Sequence, residues 1–88
     1  MKLNENFVLR QVAGSWMVLP LKNDTLDFDG MIRLNNSGAI LWRCLEQSGD
    51  RDALVRALTE KYDVSIQQAA ADVDEFLGIL KQVGCIQS

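Results

Sequence analysis

The first third of the chain carries a period-two pattern. From Phe7 to Val12, Phe7 and Leu9 fall on one side and Val8, Arg10 and Val12 on the other, which predicts a strand. Ala13-Gly14-Ser15 is a turn signal. Ser15 to Leu21 then predicts a second strand, apolar on both faces. Trp16 and Val18 share one face; Met17, Leu19 and Leu21 share the other. Pro20 cannot donate to a ladder, so it belongs at a strand end or on a free edge. Lys22 to Gly30 is a polar connection in which Leu26 and Phe28 alternate and can pack back on the core. Met31-Ile32-Arg33-Leu34 predicts a short third strand, and three strands with short links predict an antiparallel meander.

From Asn35 the period changes to that of a helix. Asn35 or Asn36 can cap a first helix whose buried stripe is Ile40, Leu41, Cys44 and Leu45, widened by Trp42. Ser48-Gly49 ends it. Asp50 can cap a second helix, where Leu54, Ala57, Leu58 and Tyr62 recur at helical spacing. Ser65-Ile66-Gln67-Gln68 reads as a capping box, with Ser65 covering a free amide and Gln68 reaching back. The third helix runs from there to about Val83, and Gly84 is a left-handed stop. Cys85-Ile86 follows as a short apolar tail.

The third helix is lopsided. With Val73 at the centre of the wheel and roughly 100° per residue, Ile66, Ala69, Ala70, Leu77 and Leu80 form a sufficient core stripe. Phe76 and Val83 lie on one shoulder, with Ile79 further round on the same side near Asp72. Either the strands cover this extra shoulder, or Phe76, Ile79 and Val83 form one wall of a groove for another chain.

Composition narrows the classes. Eighty-eight residues fit one compact domain, 1–88 with its core at about 7–86, and 48% hydrophobic content argues against disorder beyond the first few residues and the last two. A net charge of -3 disfavours nucleic acid, which needs clustered Lys and Arg. No run approaches the ~20 apolar residues of a membrane span, and the N-terminus lacks a signal-peptide core, so the expected place is the cytoplasm. In that reducing compartment Cys44 and Cys85, with no metal-ligand spacing, are expected as small buried hydrophobes.

The inventory also lacks the usual tools of catalysis. There is no histidine, hence no common general base or metal ligand. Asp27-Phe28-Asp29-Gly30 has the look of a calcium loop, but in that register the first ligand is Thr25 and the last is Asn36 where Glu is needed. It is read as a solvated turn. Gly14, Gly30 and Gly38 are isolated, so no phosphate loop is present. No cofactor, metal site or catalytic residue is expected, and the chain is not read as an enzyme. Asp72, Asp74 and Glu75 form an acidic cluster on the third helix.

The run from Asp27 to Trp42, with an aromatic, a Gly, a short strand ending in Leu34-Asn35, a small-residue helix start and then Trp42, resembles the coenzyme PQQ synthesis protein D family. Leu54 to Val64 resembles its second helix. Asp72-Val73, Phe76-Leu77, Leu80 and Gly84-Cys85-Ile86 resemble its third helix and exit. The likeness spans about Phe7 to Ile86. It implies an α+β, winged-helix-like fold, a three-stranded antiparallel meander followed by three helices. It also implies an adaptor that binds the leader of a ribosomally made precursor peptide and presents it to a modifying enzyme, often a radical S-adenosylmethionine protein, in PQQ biosynthesis or a related pathway. In the family the leader adds as a strand beside the third strand and third helix. The candidate peptide-binding residues are therefore Met31, Ile32, Arg33 and Leu34 on the strand and Asp72, Phe76, Ile79 and Val83 on the helix. Arg33 can pair with an acidic leader residue or serve as an ordinary edge charge. The alternatives are a winged-helix DNA-binding regulator, which predicts a basic third helix, and a homodimeric scaffold subunit whose spare shoulder is its interface.

Overall fold

The computed structural model describes residues 2–21 and 32–87. Lys2–Leu3 (β1) is a short strand, followed by β2 (Phe7–Val12), β3 (Ser15–Pro20) and β4 (Ile32–Leu34). Helices α1 (Asn36–Gln47), α2 (Arg51–Lys61) and α3 (Ile66–Gln82) follow, and Ile86–Gln87 (β5) closes the chain. The sheet order β2-β3-β4 is antiparallel throughout. This is the expected α+β meander followed by three helices. Met31, Leu26, Phe28 and the Asp27–Gly30 turn lie outside the described residues. No helix among the described residues is long and apolar enough to cross a membrane.

Alternation sorts the sheet into two faces. Leu9 pairs with Val18 and Val18 with Ile32, while Trp16 pairs with Leu34, so these side chains share the helix-side face. Val18 is fully buried there, with Phe7, Leu9, Ile32 and Leu34 packed against the same core. Pro20 is the last residue of β3, the strand-end position that suits a residue unable to donate to a ladder. The β2–β3 turn places Ala13 at φ 51 and Gly14 at φ 83, the paired positive angles of a tight two-residue hairpin.

Each helix starts where a polar side chain can hold a free amide. Asn35 Oδ1 accepts from the Gly38 N–H at 2.8 Å, Asp50 Oδ1 from Asp52 at 3.1 Å, and Ser65 Oγ from Gln68 at 3.0 Å. The third is only half a capping box. Gln68 does not reach back; its Nε2 donates to Asp72 one turn on, at 2.9 Å. Gln68 and Asp72 are i, i+4 neighbours on one face, a spacing at which polar side chains meet.

The core is built by α2 packing against both α1 and α3, under β3. Leu41, Trp42, Leu45, Leu54, Leu58, Ala69, Val73, Leu77 and Leu80 are all buried. Val55 joins them, a position outside the helical stripe expected for α2. Trp42 is fully buried, and its indole N–H meets no acceptor among the described residues. Cys85 is buried as expected, while Cys44 is half-buried and packs at the margin of the core.

Two further expectations fail. Ile66, on the axis of the core stripe, is 72% exposed. It is the first residue of α3, and helical side chains lean toward the N-terminus, so Ile66 overhangs the packed layer. Lys2–Leu3 and Ile86–Gln87 are not loose either. Lys2 pairs with Gln87 and Leu3 with Ile86, and the Asn4 N–H donates to the Cys85 carbonyl at 2.7 Å. Burial of Cys85 and Ile86 draws the C-terminal strand inward, and β1 satisfies its backbone.

Candidate functional site

β4 is the third strand of the order β2-β3-β4, so its outer edge carries no partner strand among the described residues. An edge of this kind leaves N–H and C=O groups open to an extended chain. Beside it lies a groove of about 320 Å³ between β4, the start of α1 and α3. Leu34, Leu41, Leu58 and Phe76 give it an apolar floor. Asp72, Glu75 and Ile79 form the α3 rim, Arg33 the β4 rim, and Asn35, Ser37 and Gly38 the end wall.

The α3 rim follows from helical spacing. Residues 72, 75, 76 and 79 recur at i, i+3, i+4 and i+7, which is one stripe. Phe76 is the inner edge of that stripe and is buried; Ile79 is the outer edge and is 44% exposed. An apolar side chain held that far out of the core offers contact area to a ligand.

The N-terminus of α1 meets β4 at Gly38. A Cβ on Gly38 would lie 3.2 Å from both the Asn35 Oδ1 and the Leu34 Cβ. The bare backbone therefore lets the first turn of α1 sit against the strand, where it builds the end wall of the groove.

Arg33 stands opposite Met17 and so belongs to the sheet face turned away from the helices. Its Nη2 donates to Ser15 Oγ at 3.1 Å, which holds the guanidinium along the sheet at the lip of the groove. Across the groove, Asp72 is held by Gln68. A second hollow of about 400 Å³ continues from the first past Asn35, Ser37, Leu58 and Asp72 to Tyr62 and Val64.

Of the residues singled out from sequence, Arg33, Leu34, Asp72, Phe76 and Ile79 converge on this groove. Ile32 pairs with Val18 and packs on the core. Val83 caps α3 and packs against the core beyond the groove's end. Leu41 and Leu58 serve both as core and as groove floor. Glu75 was not singled out as a contact, although its spacing from Asp72 and Ile79 places it on the same stripe. Asn35, Ser37 and Gly38 carried no such signal, because only tertiary packing brings the start of α1 to the groove. Among the described residues no three His, Cys, Asp or Glu side chains gather as a metal site.

A solved structure described as TbiB1 in complex with the TbiA(beta) leader peptide superposes with a TM-score of 0.80. The match covers 100% of this chain and 96% of that one at 22% sequence identity, which speaks for a shared fold. No curated protein matches the chain. The family model for coenzyme PQQ synthesis protein D matches residues 16–86. That span holds β3 from Trp16 on, β4, the three helices and the start of β5, and therefore every wall of the groove; β2 lies before it. Strand order, helix order and the sequence match over most of its length agree: the chain belongs to the coenzyme PQQ synthesis protein D family.

Proposed function

We propose that this protein is a peptide-binding adaptor. It takes the leader of a ribosomally made precursor peptide as an added strand on β4 and presents the rest to a modifying enzyme. The observation that carries this reading is the outer edge of β4, which has no partner strand among the described residues and lies directly beside a groove with an apolar floor. Backbone hydrogen bonds to the edge supply affinity that is indifferent to sequence, and the groove supplies selection. The TbiB1 structure, of the same fold, holds a leader peptide.

The register defines what such a peptide should look like. A residue opposite Arg33 faces the outer side of the sheet with it, whichever way the peptide runs, and its two neighbours face the groove. The favoured segment has an acidic residue at the centre, for Arg33, between two apolar residues that reach Leu34, Phe76 and Ile79. Candidate contacts are thus Ile32 to Leu34 through the backbone, Arg33 and Asp72 through charge, and Phe76 and Ile79 through apolar area. Met31 and Val83 flank them in sequence.

The role is one of binding and handing over. The enzyme that receives the peptide is a radical S-adenosylmethionine protein or another peptide-modifying enzyme, acting in the cytoplasm, where Cys44 and Cys85 stay reduced.

Calorimetric titration with leader peptides encoded by neighbouring short genes tests the reading. One leader should bind with a Kd below about 10 μM, and Ile79→Glu should abolish binding while the thermal melt stays in place. Full-strength binding by Ile79→Glu would move the peptide site away from α3. No binding of any leader to the wild type would reject the adaptor reading.

A further inference from the structure

The sheet has a second apolar face, which the peptide groove meets at Arg33. Pairing places Val8 opposite Leu19, Arg10 opposite Met17, Val12 opposite Ser15, and Met17 opposite Arg33, all on the side away from the helices. Val12 is 50% exposed. A hollow of about 520 Å³ runs across this face, lined by Val12, Ala13, Ser15, Met17, Leu19 and Arg33. A sheet in a small domain ordinarily leaves its outer face polar, so apolar side chains in this row call for a cover.

Two features say what the cover is. The ionisable groups of this face among the described residues are Arg10 and Arg33, both cations, in a chain of net charge -3. Two copies stacked face to face would bring their guanidiniums together, so the charge disfavours a second copy. A protein surface with an apolar centre and carboxylates at its margin complements it. The face is also continuous with the peptide groove, because Arg33 lines both. A peptide strand added to β4 would extend this same outer face by one strand.

We propose that the outer face of the β2-β3-β4 sheet is the docking surface for the peptide-modifying enzyme, which presents an apolar patch ringed by carboxylates. This rests on the adaptor reading above. The enzyme then meets a composite surface of Val12, Met17 and Leu19 together with the outward side chains of the bound leader. The loaded adaptor offers more area than the empty one, and the peptide is delivered in the act of docking.

The test uses the full chain, the purified peptide-modifying enzyme encoded beside it and its labelled leader. Arg10→Glu and Val12→Asp are exposed positions outside the groove, and circular dichroism checks that each variant folds. Both variants should lose about tenfold or more in enzyme affinity while leader affinity stays within about twofold, and wild-type enzyme binding should weaken with added salt. Unchanged enzyme affinity in both folded variants overturns the proposal. So does a wild-type dimer in sedimentation that Val12→Asp converts to monomer, since a second copy then covers the face. Failure of the wild type to bind leader while it still binds enzyme would count against the adaptor reading and leave the docking face standing.

Discussion

Gly38 sits so close to Leu34 that a Cβ on the glycine would lie 3.2 Å from the leucine Cβ. The contact joins the first turn of α1 to the last residue of β4, and it closes one end of the groove. Gly78, in the middle of α3, has nothing within 4 Å of the same hypothetical atom. The two glycines should therefore answer substitution with opposite signs. Gly38→Val should lower stability by about 1–3 kcal/mol through overpacking, while Gly78→Ala should raise it by about 0.5–1 kcal/mol through helix propensity. Urea unfolding of both variants decides it; equal shifts would mean that the β4–α1 contact is not tight.

The wheel of α3 gives a second contrast. Leu80 is fully buried and Ile66 overhangs the helix start, although both fall on the stripe centred at Val73. Leu80→Ala should cost about 2–5 kcal/mol, and Ile66→Ala less than about 0.5 kcal/mol. A large loss at Ile66 would show that the N-terminal turn of α3 is packed.

Arg51 at the start of α2 donates to both carboxylate oxygens of Asp74 on α3, at 2.8 and 2.9 Å. These hydrogen bonds hold the Asp74 carboxyl below its ordinary range. A carboxylate whose pKa is lowered by folding adds stability above its unfolded pKa, and that stability is lost as pH falls through the lowered folded value. The wild type should thus exceed Asp74→Asn in stability at neutral pH, and the two should converge in acid. Both side chains are exposed, so high salt should narrow the gap as well. A gap that is independent of both pH and salt would assign it to some other cause.

Burial pushes the Cys85 thiol up to about 11, and partial burial also raises Cys44. The neutral thiol is the form that packs, so the stability tied to Cys85 is complete below the ordinary thiol range. It fades as pH rises from there toward about 11. Iodoacetamide at pH 8 should label half-buried Cys44 first and reach Cys85 only at the rate of unfolding. Mass mapping of the labelled peptides checks the order, and early labelling of Cys85 would contradict its burial.

Local chemistry made much of this legible in the residues alone. Asn35, Asp50 and Ser65 mark the helix starts because each offers a side-chain acceptor to a free amide close by in sequence. The two apolar faces of Ser15–Leu21 are visible because strand side chains alternate strictly. The acidic and apolar stripe of Asp72, Phe76 and Ile79 is visible because helical spacing puts these residues on one side of the helix.

Relations between elements were not legible. Spacing on a wheel cannot say where a packed layer ends, so Ile66 and Val83 could be placed on a face but not beside a neighbour. Pairing of Leu3 with Ile86 joins the two ends of the chain, and no local pattern encodes a contact across that separation. The groove itself belongs to this second kind. It exists because β4 ends the strand order and because Gly38 lets α1 approach it. Residue patterns determined which side chains were available; only the packing of β4 against α1, with α3 placed across the groove, decided that five of them would face one another.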